Sequence, residues 1–71
     1  MAPALAGCLS RHVTWVRTGD AEYPWTADVD SARWRLRLND FPEESLYTLI
    51  IGEATIGDFD DWPPAWEQSQ S

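Results

Sequence analysis

Hydrophobic and polar residues alternate along most of this chain with the two-residue period of strands, not the 3.6-residue period of helices. Over residues 12–17, Val13, Trp15 and Arg17 fall on one face and His12, Thr14 and Val16 on the other, which predicts a first strand. Residues 18–22 (Thr-Gly-Asp-Ala-Glu) form a loop. The next two segments make the clearest hairpin. Trp25, Ala27 and Val29 alternate with Thr26, Asp28 and Asp30; Trp34, Leu36 and Leu38 then alternate with Arg33, Arg35 and Arg37. A turn at Asp30-Ser31 pairs Val29 with Ala32, Asp28 with Arg33, Ala27 with Trp34 and Trp25 with Leu36. That register sends every apolar residue to one face, and a slip of one position would send the whole set to the other. Asp-Ser is a weaker tight-turn pair than Asn-Gly, so a four-residue type I turn is expected.

Residues 39–45 form a second loop, broken by Pro42. A strand follows over residues 46–51, whose unbroken Leu49-Ile50-Ile51 run suggests burial on both faces. Gly52-Glu53 suits a type II′ turn into a last strand at residues 54–56. Residues 57–61 are expected to leave the sheet, and Trp62-Pro63-Pro64-Ala65-Trp66 fits neither a regular helix nor a central strand. The predicted fold is mainly β: one small domain at residues 12–66, a twisted antiparallel meander of about five strands with a short aromatic tail packed on it. Residues 1–11 read as a loose arm or a short turn of helix, and residues 67–71 as a frayed tail.

Size sharpens this picture. At 71 residues the chain sits near the lower limit for a core without staples, and its lone Cys8 excludes an internal disulfide. Cys8 and His12 are the only soft ligands, so no structural zinc is expected, and no cofactor either. Packing must then come from the five Trp residues, at positions 15, 25, 34, 62 and 66. Leu5-Ala6-Gly7-Cys8 matches the bacterial lipoprotein cleavage site, but only Met1-Ala2-Pro3-Ala4 precede it, without charge. No apolar run approaches the ~20 residues of a membrane span, and a cytoplasmic protein is expected.

Charge is the most uneven property of the chain. Residues 39–71 carry eight acids and no basic residue, so the whole of the net charge of −7 comes from this half. Such a chain repels nucleic acid and anionic membranes, so direct binding to either is not expected. The triplet Arg33, Arg35 and Arg37 lies on one strand face at spacings of about 6.8 Å. With acids in excess, it is better read as a neutralised outer face than as an anion-binding ladder. Cys8 and His12 lack the orienting group and oxyanion pocket of a nucleophile pair. Adjacent acids such as Glu43-Glu44 and Asp60-Asp61 lack a cleft to shift their pKa values, so no catalysis is expected. Calcium would need a ligand spacing and glycine that residues 58–66 do not offer.

What remains is a small, acidic, non-catalytic protein that binds and blocks a basic surface on a protein partner, expected to be a nucleic-acid-binding one. The candidate contacts are Asp40, Glu43 and Glu44 in the loop, Asp58, Asp60 and Asp61 in the tail, and Trp62 and Trp66 as aromatic anchors. The string over residues 58–66 also reads as a clasp, in which Phe59, Trp62 and Trp66 complete the core while the acids face water. Mimicry of a long duplex is excluded by charge count. A domain of this length spans roughly 28 Å, where duplex DNA carries about 16 phosphate charges. The acids cannot all face one way, so only a partial mimic is feasible. In length, charge and lack of catalytic residues the chain resembles the small phage-encoded inhibitors called anti-CRISPR proteins. The resemblance implies a CRISPR effector subunit as partner, covers no alignable motif and transfers no residue role. Two alternatives use the same features: an immunity protein against a basic nuclease toxin, and a structural module forming a homodimer through exposed Trp and a sheet edge.

Overall fold

In a computed structural model, which describes residues 4–69, the alternating segments pair into the expected meander. The elements are α1 (Leu5–Ser10), β1 (Val13–Arg17), β2 (Trp25–Val29), β3 (Ala32–Leu38), β4 (Tyr47–Ile51), β5 (Ala54–Phe59) and β6 (Trp66–Ser69). They build a single domain around one open mixed sheet in the order β5-β4-β3-β2-β1-β6. The β2–β3 register is the predicted one, from Val29 opposite Ala32 to Trp25 opposite Leu36. The turn is tighter than expected. Asp30 and Ser31 have φ of 49° and 68°, the two left-handed residues of a type I′ turn, whose twist matches that of the flanking strands. At the β4–β5 turn, Gly52 supplies the positive φ of 61° that a type II′ turn needs in its first central position.

Two expectations about the C-terminal third are corrected. Residues 57–59 do not leave the sheet. Past an irregularity at Leu49/Ile50, β5 resumes pairing, with Leu49 opposite Gly57, Thr48 opposite Asp58 and Tyr47 opposite Phe59. Ile56 is the extra residue, so a β-bulge shifts the register by one and interrupts the alternation that marks a strand in sequence. Nor is the tail frayed from residue 67: residues 67–69 belong to β6, which pairs parallel to β1 from Val13–Trp66 to Val16–Ser69. Residues 1–3 of the expected arm and residues 70–71 of the expected tail lie outside the described residues.

The parallel sixth strand shapes the molecule. β5 and β6 are opposite edges of the sheet, and in a flat six-stranded sheet they would lie about 24 Å apart. Instead the rings of Phe59 on β5 and Trp66 on β6 are 5.3 Å apart. The sheet is therefore strongly curled, and residues 60–65 strap its concave face from the end of β5 to the start of β6. The core consists of the buried side chains Val13, Trp15, Trp25, Ala27, Trp34, Leu36, Leu49, Phe59 and Trp66, with Cys8 from α1. Trp62 sits in the strap against Trp15, Trp25, Tyr47 and Trp66, at ring separations of 5.5–6.4 Å. α1 lies close over β5: a Cβ on Gly57 would stand 2.9 Å from Leu5 Cδ2, so a side chain there would require Leu5 to shift. The double covering suggested for β4 is partial, with Leu49 fully buried and Ile50 and Ile51 half-buried.

Candidate binding end

β1, β3 and β5 run in one direction, so the connections that follow them leave from one end of the sheet. This topology gathers the two acidic segments that lie far apart in sequence. The Leu46 amide donates to Asp60 Oδ1 at 2.9 Å, tying the β3–β4 loop to the start of the strap. Asn39 Nδ2 donates to Thr48 Oγ1 at 2.7 Å, and the Thr48 hydroxyl donates to Asp58 Oδ1 at 2.7 Å. Glu44 and Asp58 line the same shallow groove, with Arg37, Asn39 and Thr48. Asp40, Glu43, Glu44, Asp58, Asp60 and Asp61 are all exposed.

These acids do not share one role. Among the described residues, three ion pairs engage Asp30 with Arg11, Asp28 with Arg33, and Glu22 with Arg37, and Glu67 lies 3.4 Å from His12 Nε2. Asp20 Oδ1 accepts from the Glu22 and Tyr23 amides, and Asp58 and Asp60 hold Thr48 and Leu46 as described. The carboxylates left without a hydrogen bond or ion pair among the described residues are Asp40, Glu43, Glu44, Glu53 and Asp61. All but Glu53 belong to the loop and strap of this end. They are also dispersed: among the described residues, no three His, Cys, Asp or Glu side chains gather as a metal ion would require. A dispersed anionic surface suits a macromolecule with several cations better than a single ion.

The expected aromatic anchors belong to the fold. Trp66 is only 3% exposed and donates its indole N–H to the Cys8 carbonyl at 3.0 Å, so it is a core residue and not a partner contact. Trp62 is half-buried, and its indole N–H donates to the Trp66 carbonyl at 3.1 Å. The large apolar side chains that this end does expose are Phe41, at 59%, and Leu38, at 44%. Phe41 stood in plain view between Asp40 and Pro42, inside a loop with no strand period to bury it. Its signal was that it had no place in the alternation.

The remaining candidates are accounted for locally. Arg33 Nε lies 2.7 Å from Asp28 Oδ1 and Arg37 Nε 3.3 Å from Glu22 Oε2, while the Arg35 guanidinium lies 4.8 Å over the Tyr23 ring. The ladder is thus occupied by its neighbours Asp28, Glu22 and Tyr23. Burial pushes the Cys8 thiol above its ordinary pKa, more than nearby Arg11 lowers it, so the group stays protonated at neutral pH. His12, exposed, faces Glu67 across 3.4 Å. Among the described residues no helix is long and apolar enough to cross a membrane. No family model, no curated protein and no solved structure matches this chain.

Proposed function

We propose that this chain is a small, non-catalytic binding protein that covers a basic, nucleic-acid-binding surface of a protein partner. The observation that carries the reading is the segregation of unused charge: Asp40, Glu43, Glu44 and Asp61 lie in the loop and strap at one end of the sheet without an ion pair among the described residues. A fold gains nothing from crowding like charges, whereas a basic groove gains both steering and register from them. The scale fits a short contact. The molecule measures 32 Å in its longest dimension, over which duplex DNA carries about 19 charges. The six carboxylates at this end match about three base pairs of phosphate. This is the anion count of one recognition step, compatible with blocking a CRISPR effector subunit or another nucleic-acid-binding protein at a short site.

The test is capture of a partner from host lysate at low salt by the tagged chain, with and without competing duplex DNA. A nucleic-acid-binding protein that duplex displaces supports the reading. The combined variant Asp40→Lys, Glu43→Lys, Glu44→Lys and Asp61→Lys should lose that partner while keeping its unfolding midpoint within a few degrees. Asp58 and Asp60 are left intact because they hold Thr48 and Leu46. A partner still retained by the reversed variant would show that the acidic end is not the contact.

A further inference from the structure

We propose that Leu38 and Phe41 are the apolar anchor of this binding end, and that they dock a basic protein segment in which Arg or Lys alternates with apolar side chains. The inference rests on the binding role just proposed and names the chemistry of its partner. It begins with burial. On β3, Trp34 and Leu36 are buried and Leu38 continues the same face, paired with Tyr47 of β4, yet it is 44% exposed because the sheet outruns its cover there. Three positions on, Phe41 is 59% exposed, and its amide is turned back to the Asn39 carbonyl at 3.1 Å. Val16, at 36%, is the other large hydrophobic residue so exposed among those described, and it lies on a different strand. Scattered apolar residues on a surface need no explanation. Two within four positions, with carboxylates that the fold does not use next to them in sequence, supply the apolar centre and the acidic rim that an interface needs.

Charge selects the occupant. Nucleic acid is repelled by Asp40, Glu43 and Glu44 around Phe41. A second copy brings the same net charge of −7. A two-fold contact at this patch would set like carboxylates against one another. The five arginines of a second copy are also engaged: Arg11 with Asp30, Arg33 with Asp28, Arg37 with Glu22, Arg35 over Tyr23 and Arg17 over Trp25. A basic polypeptide with apolar side chains satisfies both centre and rim.

Two synthetic peptides of equal length and charge test this by calorimetry at low salt, one alternating Arg with Leu and the other Arg with Gly. The Arg-Leu peptide is expected to bind at least about tenfold more tightly. Phe41→Ala should erase that excess, keep the weaker Arg-Gly affinity and leave the circular dichroism spectrum unchanged. Equal affinities for the two peptides, or an excess that survives Phe41→Ala combined with Leu38→Ala, overturn the anchor and leave the acidic binding end standing. If neither peptide binds, the acidic end itself falls, and the anchor with it. A concentration-dependent mass that Phe41→Ala abolishes assigns the patch to a second copy and overturns the proposal.

Discussion

Replacing Trp66 by Ala asks whether the segment after β5 belongs to the fold or only rests on it. Trp66 opens β6, is 3% exposed, and lies 4.9–5.6 Å ring to ring from Trp15, Phe59 and Trp62. Removing a buried Trp side chain costs about 3–5 kcal/mol. A domain of this length is stable by only ~4–10 kcal/mol, so Trp66→Ala should remove about a third of the stability or more. Trp66→Phe keeps most of the ring contacts and loses the indole donor to the Cys8 carbonyl. The Arg11 amide also reaches that carbonyl, at 3.3 Å, so the acceptor is not orphaned. The Phe variant should therefore lose only about 1–2 kcal/mol. Urea titrations followed by far-ultraviolet circular dichroism read both values without relying on the altered fluorophore set. Hydrogen exchange localises the effect: in the Ala variant the β1 amides that pair with β6 should lose protection before those of the β2–β3 hairpin. If Trp66→Ala unfolds within about 1 kcal/mol of the parent with the same denaturant slope, β6 is dispensable and the clasp is wrong.

Three other perturbations probe separate parts of the fold. Thr48→Val breaks the Asn39–Thr48–Asp58 chain at a strand position that is itself only 9% exposed, and should cost about 1–2 kcal/mol in thermal unfolding, with Thr48→Ser restoring most of it. Ser31→Gly relieves a left-handed residue at φ 68° and should raise stability by about 0.5–1 kcal/mol, measured the same way; a loss would mean that the turn is not type I′. Because the folded thiol of Cys8 titrates above its ordinary value of 9.0, its contribution is complete below that pH and declines as pH rises through and beyond it. Urea midpoints of the parent and Cys8→Ala should therefore converge as pH rises above about 9, and a gap that is flat or widens with pH contradicts the burial of the thiol.

What was legible in the sequence was what local period and cross-strand chemistry decide. The β2–β3 register could be read because Trp25, Ala27, Trp34 and Leu36 must share a face and because Asp28 and Arg33 then meet. The continuation of β5 was hidden by the bulge at Ile56: Gly57, Asp58 and Phe59 match a strand only after the period is reset by one residue. β6 was hidden for a different reason. Trp66-Glu67-Gln68-Ser69 holds one apolar residue, and the strand exists because it pairs with Val13–Val16, some fifty positions earlier in the chain. At the candidate site, the acids were visible as charge, but which of them the fold consumes was not. Thr48 and the Leu46 amide claim Asp58 and Asp60 through contacts that only the folded sheet creates.

The same accounting of partners separates the aromatic residues that the fold consumes from the one it leaves exposed. Aromatic residues next to acids look alike in sequence whether they face a core or a partner, as Trp62, Trp66 and Phe41 show. Geometry separates them by what a curled sheet requires. Its two edges approach across the concave face, and the gap between Phe59 and the interior must be filled by large rings carried on the strap. Trp62 and Trp66 meet that demand, and their indole N–H groups are satisfied within the chain. Phe41 lies in a loop beyond the last buried residue of β3, where no such demand exists. An exposed aromatic that the fold does not need, beside carboxylates that the fold does not use, is the part of this molecule that its stability cannot explain.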